Sequence, residues 1–408
     1  MSPKHFLSVL AFVFSGFLVA PGISSGQSTL PDGAYMPGEL LLTPADGVAE
    51  KDLERIYKKV GGKLAKKLSK IKAHRINVPE DSLDAIEAAL KKNPKIKHVE
   101  KNFVAEGGRA PNDPGYASQW HLPKISAPGG WDITIGSASV PVAMIDSGVD
   151  PAHPDLAAKL LPGFNFLSDN TDTHDVYGHG TATAGTAAAM TNSGIGVAGL
   201  AWSNPIMPLV VLNSSNYASY ADIASAITYA ADHGAKVINI SIGGSSNSST
   251  LQNAVNYAWS KGVVIVASAM NNNTSTPYYP AALTNVLAVA ATDQYDNKAS
   301  FSNYGSWIDV AAPGTYIYTT KNGGAYGNWQ GTSFSSPLVA GLAALVFSHN
   351  PELSNAQVVD LIKSNADDRG TVGFDQYFGW GRINASRTLA AAEAMPALSV
   401  AIASPTQG

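Results

Sequence analysis

Four residues spread along the chain, Asp146, His179, Asn271 and Ser333, are of the types that acyl-transfer chemistry requires. Ser333 lies in NWQGTSFSSPLVAGLAALVF, Asn328 to Phe347, where Gly331 permits a tight turn and Thr332 and Ser333 are helix-leading residue types. Ala340, Gly341, Ala343 and Ala344 let the helix that follows pack closely in a core. A helix N-terminus favours negative charge, so an oxyanion forming beside Ser333 would be stabilised there. His179 sits in YGHGTATAG between two glycines, Asp146 ends VPVAMID, and Asn271 follows GVVIVASAM. Each alone has an ordinary structural reading: a capped core helix, a core histidine, a turn carboxylate, a loop asparagine within NNN. Together they supply a nucleophile, a base, an orienting carboxylate and an oxyanion donor.

The elements that must position them follow from periodicity. From Val140 onward short apolar strands alternate with small-residue helices: VPVAMID, a helix near Thr181 to Met190, IMPLVVL, a helix near Ile223 to His233, AKVINIS, a helix near Leu251 to Ser260, GVVIVAS and VLAVAAT. This pattern predicts an α/β fold, a doubly wound and mainly parallel sheet with helices on both faces. In such sheets chemistry collects beyond the carboxyl ends of the strands, where Asp146 and Asn271 fall.

Upstream the composition changes. Residues 36–106 carry 15 Lys and Arg against 11 Asp and Glu, whereas residues 107–408 carry 11 against 19. The first stretch reads as strand GELLLTP, a helix near Glu50 to Val60, strand AHRINVP, a helix near Ser82 to Lys92, and strand KHVEKNF, a small α+β module. Its lysines at 58, 59, 63, 66, 67 and 70 form a solvated face or a docking face for an acidic partner. The expected domains are a signal peptide at 1–27, the module at 36–106, a linker at 107–114, the α/β domain at 115–394 and a tail at 395–408.

Composition excludes several classes. Cysteine is absent, which removes disulfides, thiolate metal sites and a cysteine nucleophile. The 27 basic residues against 31 acidic ones form no aromatic-laced basic stripe, so no nucleic acid is expected. Lys4 and His5 precede an apolar run from Phe6 to Ala20 and then PGISSGQS, which predicts secretion with cleavage between Ala20 and Ser28 and no membrane anchor. The motif G-x-S-x-G at Gly22 to Gly26 has no strand before it and no helix after it, and is discarded.

MIDSGVD, GHGTATAG, SIGG and GTSFSSP, in the order Asp, His, Ser, resemble the subtilisin-like serine peptidases, and PNDPGYASQWHLPKISAPGGWD is similar to their thermitase-like branch. The resemblance covers roughly Asn112 to Ala392. The module ending in HVEKN resembles the family's inhibitory, ferredoxin-like propeptide. It implies a secreted serine endopeptidase of broad specificity, made as an autoprocessed zymogen, monomeric, with protein or peptide substrates and its own propeptide as partners.

Under this resemblance Ser333 is the nucleophile, His179 its base, Asp146 the orienting carboxylate and Asn271 the oxyanion donor. Ser241, Ile242 and Gly243 would pair with the peptide before the scissile bond, Asn216, Tyr217 and Ala218 would form the opposite rail, and Tyr278 would stand near the main specificity pocket. Structural calcium is implied at Asp113, Asp155, Asn192 and the carbonyls of Met190, Ile195 and Val197. The acidic loop SDNTDTHD, with Asp169, Asp172 and Asp175, reads either as a weaker calcium site or as a solvated loop.

The chain departs from the family pattern at Met270, Ala182, Phe334, Ser335 and Leu338, where glycine, histidine, methionine, alanine and histidine are usual. Three competitors are weighed against the peptidase. A silent peptide-binding relative usually lacks a triad member, an α/β-hydrolase needs the order Ser, Asp, His, and a zinc peptidase needs a motif such as HExxH.

Overall fold

The computed structural model describes residues 35–104 and 109–393. The signal segment at 1–27, the residues on either side of the expected processing point and the tail at 395–408 lie wholly or partly outside them. The chain divides into two compact units, residues 1–107 and 108–408.

The first unit runs β1 (Tyr35–Pro44), α1 (Glu50–Lys59), β2 (Lys63–Leu68), β3 (Ala73–Asn77), α2 (Leu83–Lys91) and β4 (Ile96–Phe103). Its antiparallel sheet has the order β2-β3-β1-β4, that of a ferredoxin-like βαββαβ module. Leu40, Leu42, Leu53, Tyr57, Ile76, Leu83 and Leu90 are among the residues of its single core. The lysine run holds a strand absent from the periodicity reading: KLAKKL is β2, an edge strand largely exposed on both faces. Hydrophobic alternation could not reveal it because neither face is deeply buried. Charged lysines also deter another strand from pairing with that open edge.

In the second unit two short helices, α3 (His121–Lys124) and α4 (Ala127–Ile133), precede the sheet. The sheet elements and their crossovers are β5 (Val142–Asp146), β6 (Phe164–Asn165), α5 (His179–Ala188), β7 (Ile206–Val210), α6 (Tyr220–Asp232), β8 (Val237–Ile240), α7 (Ser249–Ser260), β9 (Val264–Ser268), β10 (Val286–Thr292) and β11 (Val310–Pro313). A hairpin, β12 (Ile317–Lys321) and β13 (Ala325–Trp329), then leads into α8 (Thr332–His349), with α9 (Asn355–Ser364) and α10 (Ala385–Glu393) closing the described chain.

The seven strands lie in the order β11-β10-β9-β8-β5-β7-β6, and every named pair is parallel. Alternate strand residues feed two cores. Val142, Met144, Val264 and Val266 pack with α5, α8 and α10, while Ala143, Ile145, Ile265 and Ala267 pack with α6 and α7. Strands buried on both faces are continuous apolar runs, which is why β5, β7, β8, β9 and β10 are readable in the sequence, while β6 and β11, of two and four residues, do not stand out.

The order of strands reverses at β5, whose neighbours are β7 on one side and β8 on the other. The crevice beyond a reversal of this kind is where a doubly wound sheet binds ligands. Asp146 is the last residue of β5. Among the described residues α8 is the one helix long and apolar enough to cross a membrane, and 89% of that window is buried inside the protein, as befits a core helix.

Candidate active site

Asp146 leaves β5 fully buried, and a buried carboxylate is costly unless its oxygens are hydrogen-bonded. They are. Oδ1 accepts from the Ser147 amide at 2.8 Å and from His179 Nδ1 at 2.8 Å, and Oδ2 lies 3.0 Å from the same nitrogen and 3.1 Å from the Thr183 hydroxyl. His179 Nδ1 therefore carries the hydrogen and Nε2 faces the cleft as an acceptor. The His179 side chain is 14% exposed. Burial opposes the imidazolium, but the charge of Asp146 and its hydrogen bond, with a smaller contribution from Asp175, outweigh burial and raise the imidazole above its ordinary 6.5.

The start of α5 is pressed against the end of β5. A Cβ on Gly180 would stand 2.0 Å from the carbonyl oxygen of Gly148 and 3.1 Å from the Asp146 Cβ, so only glycine allows this approach. That is the physical role of the glycine after His179. The turn before it is built around Asp175, which accepts from the amides of Tyr177, Gly178 and Thr181 and from the Ser147 hydroxyl. Asp172 accepts from the backbone amide and Nδ1 of His174. In the acidic loop, Asp175 is thus turned inward as a scaffold for His179.

Ser333 is the second residue of α8, where an amide has no intrahelical acceptor and is free for an incoming oxyanion. It is 7% exposed, and its hydroxyl is 3.4 Å from the Ser241 carbonyl. Four residues on, Pro337 has no N–H to give the Ser333 carbonyl, and the Ser241 hydroxyl donates to that oxygen instead at 3.0 Å. Ser241 thus closes a gap that proline opens in the helix.

Asn271 is oriented by its neighbour. Its Oδ1 accepts from the Thr332 amide at 2.9 Å and from the Thr332 hydroxyl at 3.0 Å. That leaves Nδ2 as the available end of the amide, and Asn271 lines the cleft. The next residue, Asn272, gives its amide to Asn303 Oδ1 and is tied to a different loop.

His179, Ser333, Asn271, Ser241, Ile242, Gly243 and Asn216 all line one cleft of about 290 Å³, with Met270, Trp329 and Phe334 among its other walls. Tyr217 and Ala218 are outside this lining; the Tyr217 carbonyl accepts from the Asn213 amide and the Tyr217 amide donates to Asn213 Oδ1, both at 3.0 Å. Tyr278 is half-buried beside the Tyr279–Gly244 pairing and is likewise outside the cleft lining. Ala182, Phe334 and Ile317 pack together with Trp120 and Trp329, so a small residue at 182 stands beside a large one at 334. The Phe334 ring meets the His179 ring edge-on with centroids 5.9 Å apart.

Thr183 was not singled out in the sequence. A signal was present: it lies four residues after His179 on the same helix and therefore on the same face.

Away from the cleft, Asp113 and Asp155 are both buried. Asp113 accepts from the amides of Asn192 and Ser193, and Asp155 Oδ2 accepts from the Val197 amide. Asp155 Oδ1 is buried without a hydrogen-bond partner, and burial, with a contribution from the charge of Asp113, raises this carboxyl above its ordinary value. Two carboxylates without a salt-bridged cation among the described residues, one with an orphaned oxygen, fit a hard divalent cation.

The comparisons agree with this architecture. Residues 137–381 match the subtilase family, Peptidase S8, and residues 21–102 match the fervidolysin N-terminal prodomain. The chain is 41% identical over 353 residues to a thermophilic serine proteinase of Bacillus sp. (strain AK1), covering 86% of this chain and 87% of that one. It is 46% identical over 280 residues to thermitase of Thermoactinomyces vulgaris, covering 68% and 99%. A solved structure described as proteases from Pseudoalteromonas arctica PAMC 21717 superposes with a TM-score of 0.65 at 35% identity, covering 70% of this chain and all of the other.

A doubly wound parallel sheet with this cleft at its strand ends, and a family match over most of the second unit, place the chain in the subtilase family. It is a serine-type endopeptidase that carries an N-terminal prodomain.

Proposed function

We propose that Ser333, His179 and Asp146 form the catalytic triad and Asn271 the oxyanion donor of an enzyme secreted as a zymogen. The observation that carries this reading is His179 held through Nδ1 by both oxygens of buried Asp146, with its other face on the cleft that also contains Ser333. The Ser333 hydroxyl rotates from the Ser241 carbonyl towards His179 Nε2, gives up its proton there, and its oxygen attacks the peptide carbonyl carbon. The negative charge goes to the carbonyl oxygen, between Asn271 Nδ2 and the Ser333 amide. His179 then hands its proton to the amide nitrogen as the C–N bond breaks, leaving an acyl group on Ser333. Water, deprotonated by His179, releases the acyl group and restores the serine.

Ser241 to Gly243 would pair with the peptide backbone before the scissile bond, and Asn216, Tyr217 and Ala218 would flank it opposite. Main-chain pairing reads sequence weakly, which supports broad specificity. The basic first unit would inhibit and assist folding until self-cleavage near Glu106 to Ala110, and residues 1–27 would direct secretion. The mature enzyme would act as a monomer without a membrane anchor.

Calcium is the cation that suits the Asp113–Asp155 site. Asp113, Asp155, the Asn192 amide oxygen and the carbonyls of Met190, Ile195 and Val197 would hold it. When bound, it supplies the positive charge that lets these carboxylates stay ionised while buried.

The test is mass spectrometry of the chain and of Ser333→Ala, each incubated with casein and a serine-directed phosphonate. The expected result is loss of the first unit, casein cleavage and phosphonate on Ser333, all absent from the variant. Equal inertness of both chains in calcium-containing buffer would favour a peptide-binding protein.

A further inference from the structure

Met270 precedes Asn271 and has φ of 72°, a left-handed backbone that a long side chain adopts only at a cost. A strained residue of this kind beside a reactive centre points to a use for its side chain. That side chain is held. Its Cγ and Sδ lie 3.1 and 3.3 Å from the place a Cβ on Gly243 would occupy, and the Ser268 hydroxyl reaches Sδ at 3.7 Å.

Gly243 and Met270 extend from the carboxyl ends of β8 and β9, adjacent parallel strands, so the thioether bridges the crevice that opens between them. The crevice adjoins the reaction centre, because Ser241, on the same rail as Gly243, bonds both the hydroxyl and the carbonyl of Ser333. An acyl carbonyl held between Asn271 and Ser333, on a peptide paired along Ser241 to Gly243, would place its own side chain beside Met270. Met270 also lines the cleft itself.

We propose that Met270 is a specificity-determining residue: its thioether fills the pocket for the side chain immediately before the scissile bond and restricts that position to small residues. The proposal rests on the assignments above of Asn271 and Ser333 and of the Ser241 to Gly243 rail. Apolar pockets distinguish substrates by roughly 10 to 200-fold for each methylene they accept or refuse, so truncating the residue that fills one has a measurable consequence.

The experiment measures kcat/KM for active enzyme on three peptide p-nitroanilides that differ only in the residue before the scissile bond: Ala, Leu or Phe. The native enzyme is expected to favour Ala over Phe. Met270→Gly should raise the Phe-to-Ala ratio at least tenfold, and Met270→Ala should raise it less. Met270→Leu, which keeps the bulk, should hold the native ratio within threefold. The ratio cancels any general loss from disturbing Asn271, and Met270→Ala gives the same readout if the glycine variant folds poorly. A native preference for Phe, or a ratio within twofold of native in both truncations, overturns the proposal. A native enzyme inactive on all three substrates and unlabelled by the phosphonate overturns the catalytic assignment as well.

Discussion

On one side of the cleft, Asp146 and His179 are fixed by side-chain hydrogen bonds that converge from β5, α5 and the Asp175 turn. On the other, Ser333 and Asn271 are placed mainly by backbone: the start of α8, the proline within it, and the strained residue before Asn271. The first arrangement controls where a proton resides. The second controls where an oxygen can sit. Losses on the two sides should therefore differ in kind as well as in size.

The largest separation is expected from Asp146→Asn against Asn271→Ala. The first leaves His179 without its charged partner, and kcat should fall about 10⁴-fold. The second removes the proposed oxyanion donor, and kcat should fall about 10² to 10³-fold with KM nearly unchanged. Steady-state kinetics at saturating and limiting peptide resolve the two, and a large rise in KM for Asn271→Ala would blur the division proposed here.

The pH profile sharpens the first side. If His179 is the base proposed above it must be neutral to act, so kcat/KM should be lost as pH falls through a value above the ordinary imidazole 6.5, the direction in which Asp146 moves it. Thr183→Val removes a donor from Asp146 Oδ2, leaves the carboxylate a stronger partner for the imidazolium, and should move the acid limb to higher pH. Thr183→Ser should restore the native limb. An unmoved limb in the valine variant would mean that the threonine proton goes to the Gly180 carbonyl, also 3.1 Å from its hydroxyl.

Ser241→Ala tests the second side through stability. It strips the donor that Pro337 cannot supply to the Ser333 carbonyl, and the orphaned acceptor should cost about 1 to 3 kcal/mol in denaturant unfolding. Smallest of all at the cleft should be the effect of calcium chelation, which would act at the proposed Asp113 and Asp155 site: the melting temperature should fall, and Asp155→Asn should respond less to added calcium. An equal calcium response in Asp155→Asn would remove that residue from the site.

Legibility in the sequence followed burial in part, and the fully buried but short β11 was not marked by it. β5, β8, β9 and β10 were readable because strands covered on both faces are unbroken apolar runs. β2 was not, since lysines on an exposed edge look the same in a strand, a helix or a loop. The hairpin of β12 and β13 and the helix α9 also escaped, their apolar residues being mixed with polar ones on partly exposed faces. Within the cleft, Asp146, His179, Asn271 and Ser333 were legible as residue types at strand and helix ends. Thr183 and Ser241 were visible only as a helix residue and a rail residue, because their partners are reached through the fold.

Residue chemistry by itself determined that the chain carries a serine, a histidine, a carboxylate and an amide of the types acyl transfer uses, that a parallel sheet carries them, and that a basic module precedes an acidic one. Tertiary structure alone decided which oxygen each donor meets. Asp175 became a scaffold when its turn folded inward, Ser241 found the carbonyl that Pro337 leaves open, and Met270 met Gly243 across the ends of two strands. The first two of these contacts join residues 6 and 92 positions apart at 2.8 and 3.0 Å. Side-chain type limits what a group can do, but only packing of the strands and helices brings its partner within reach.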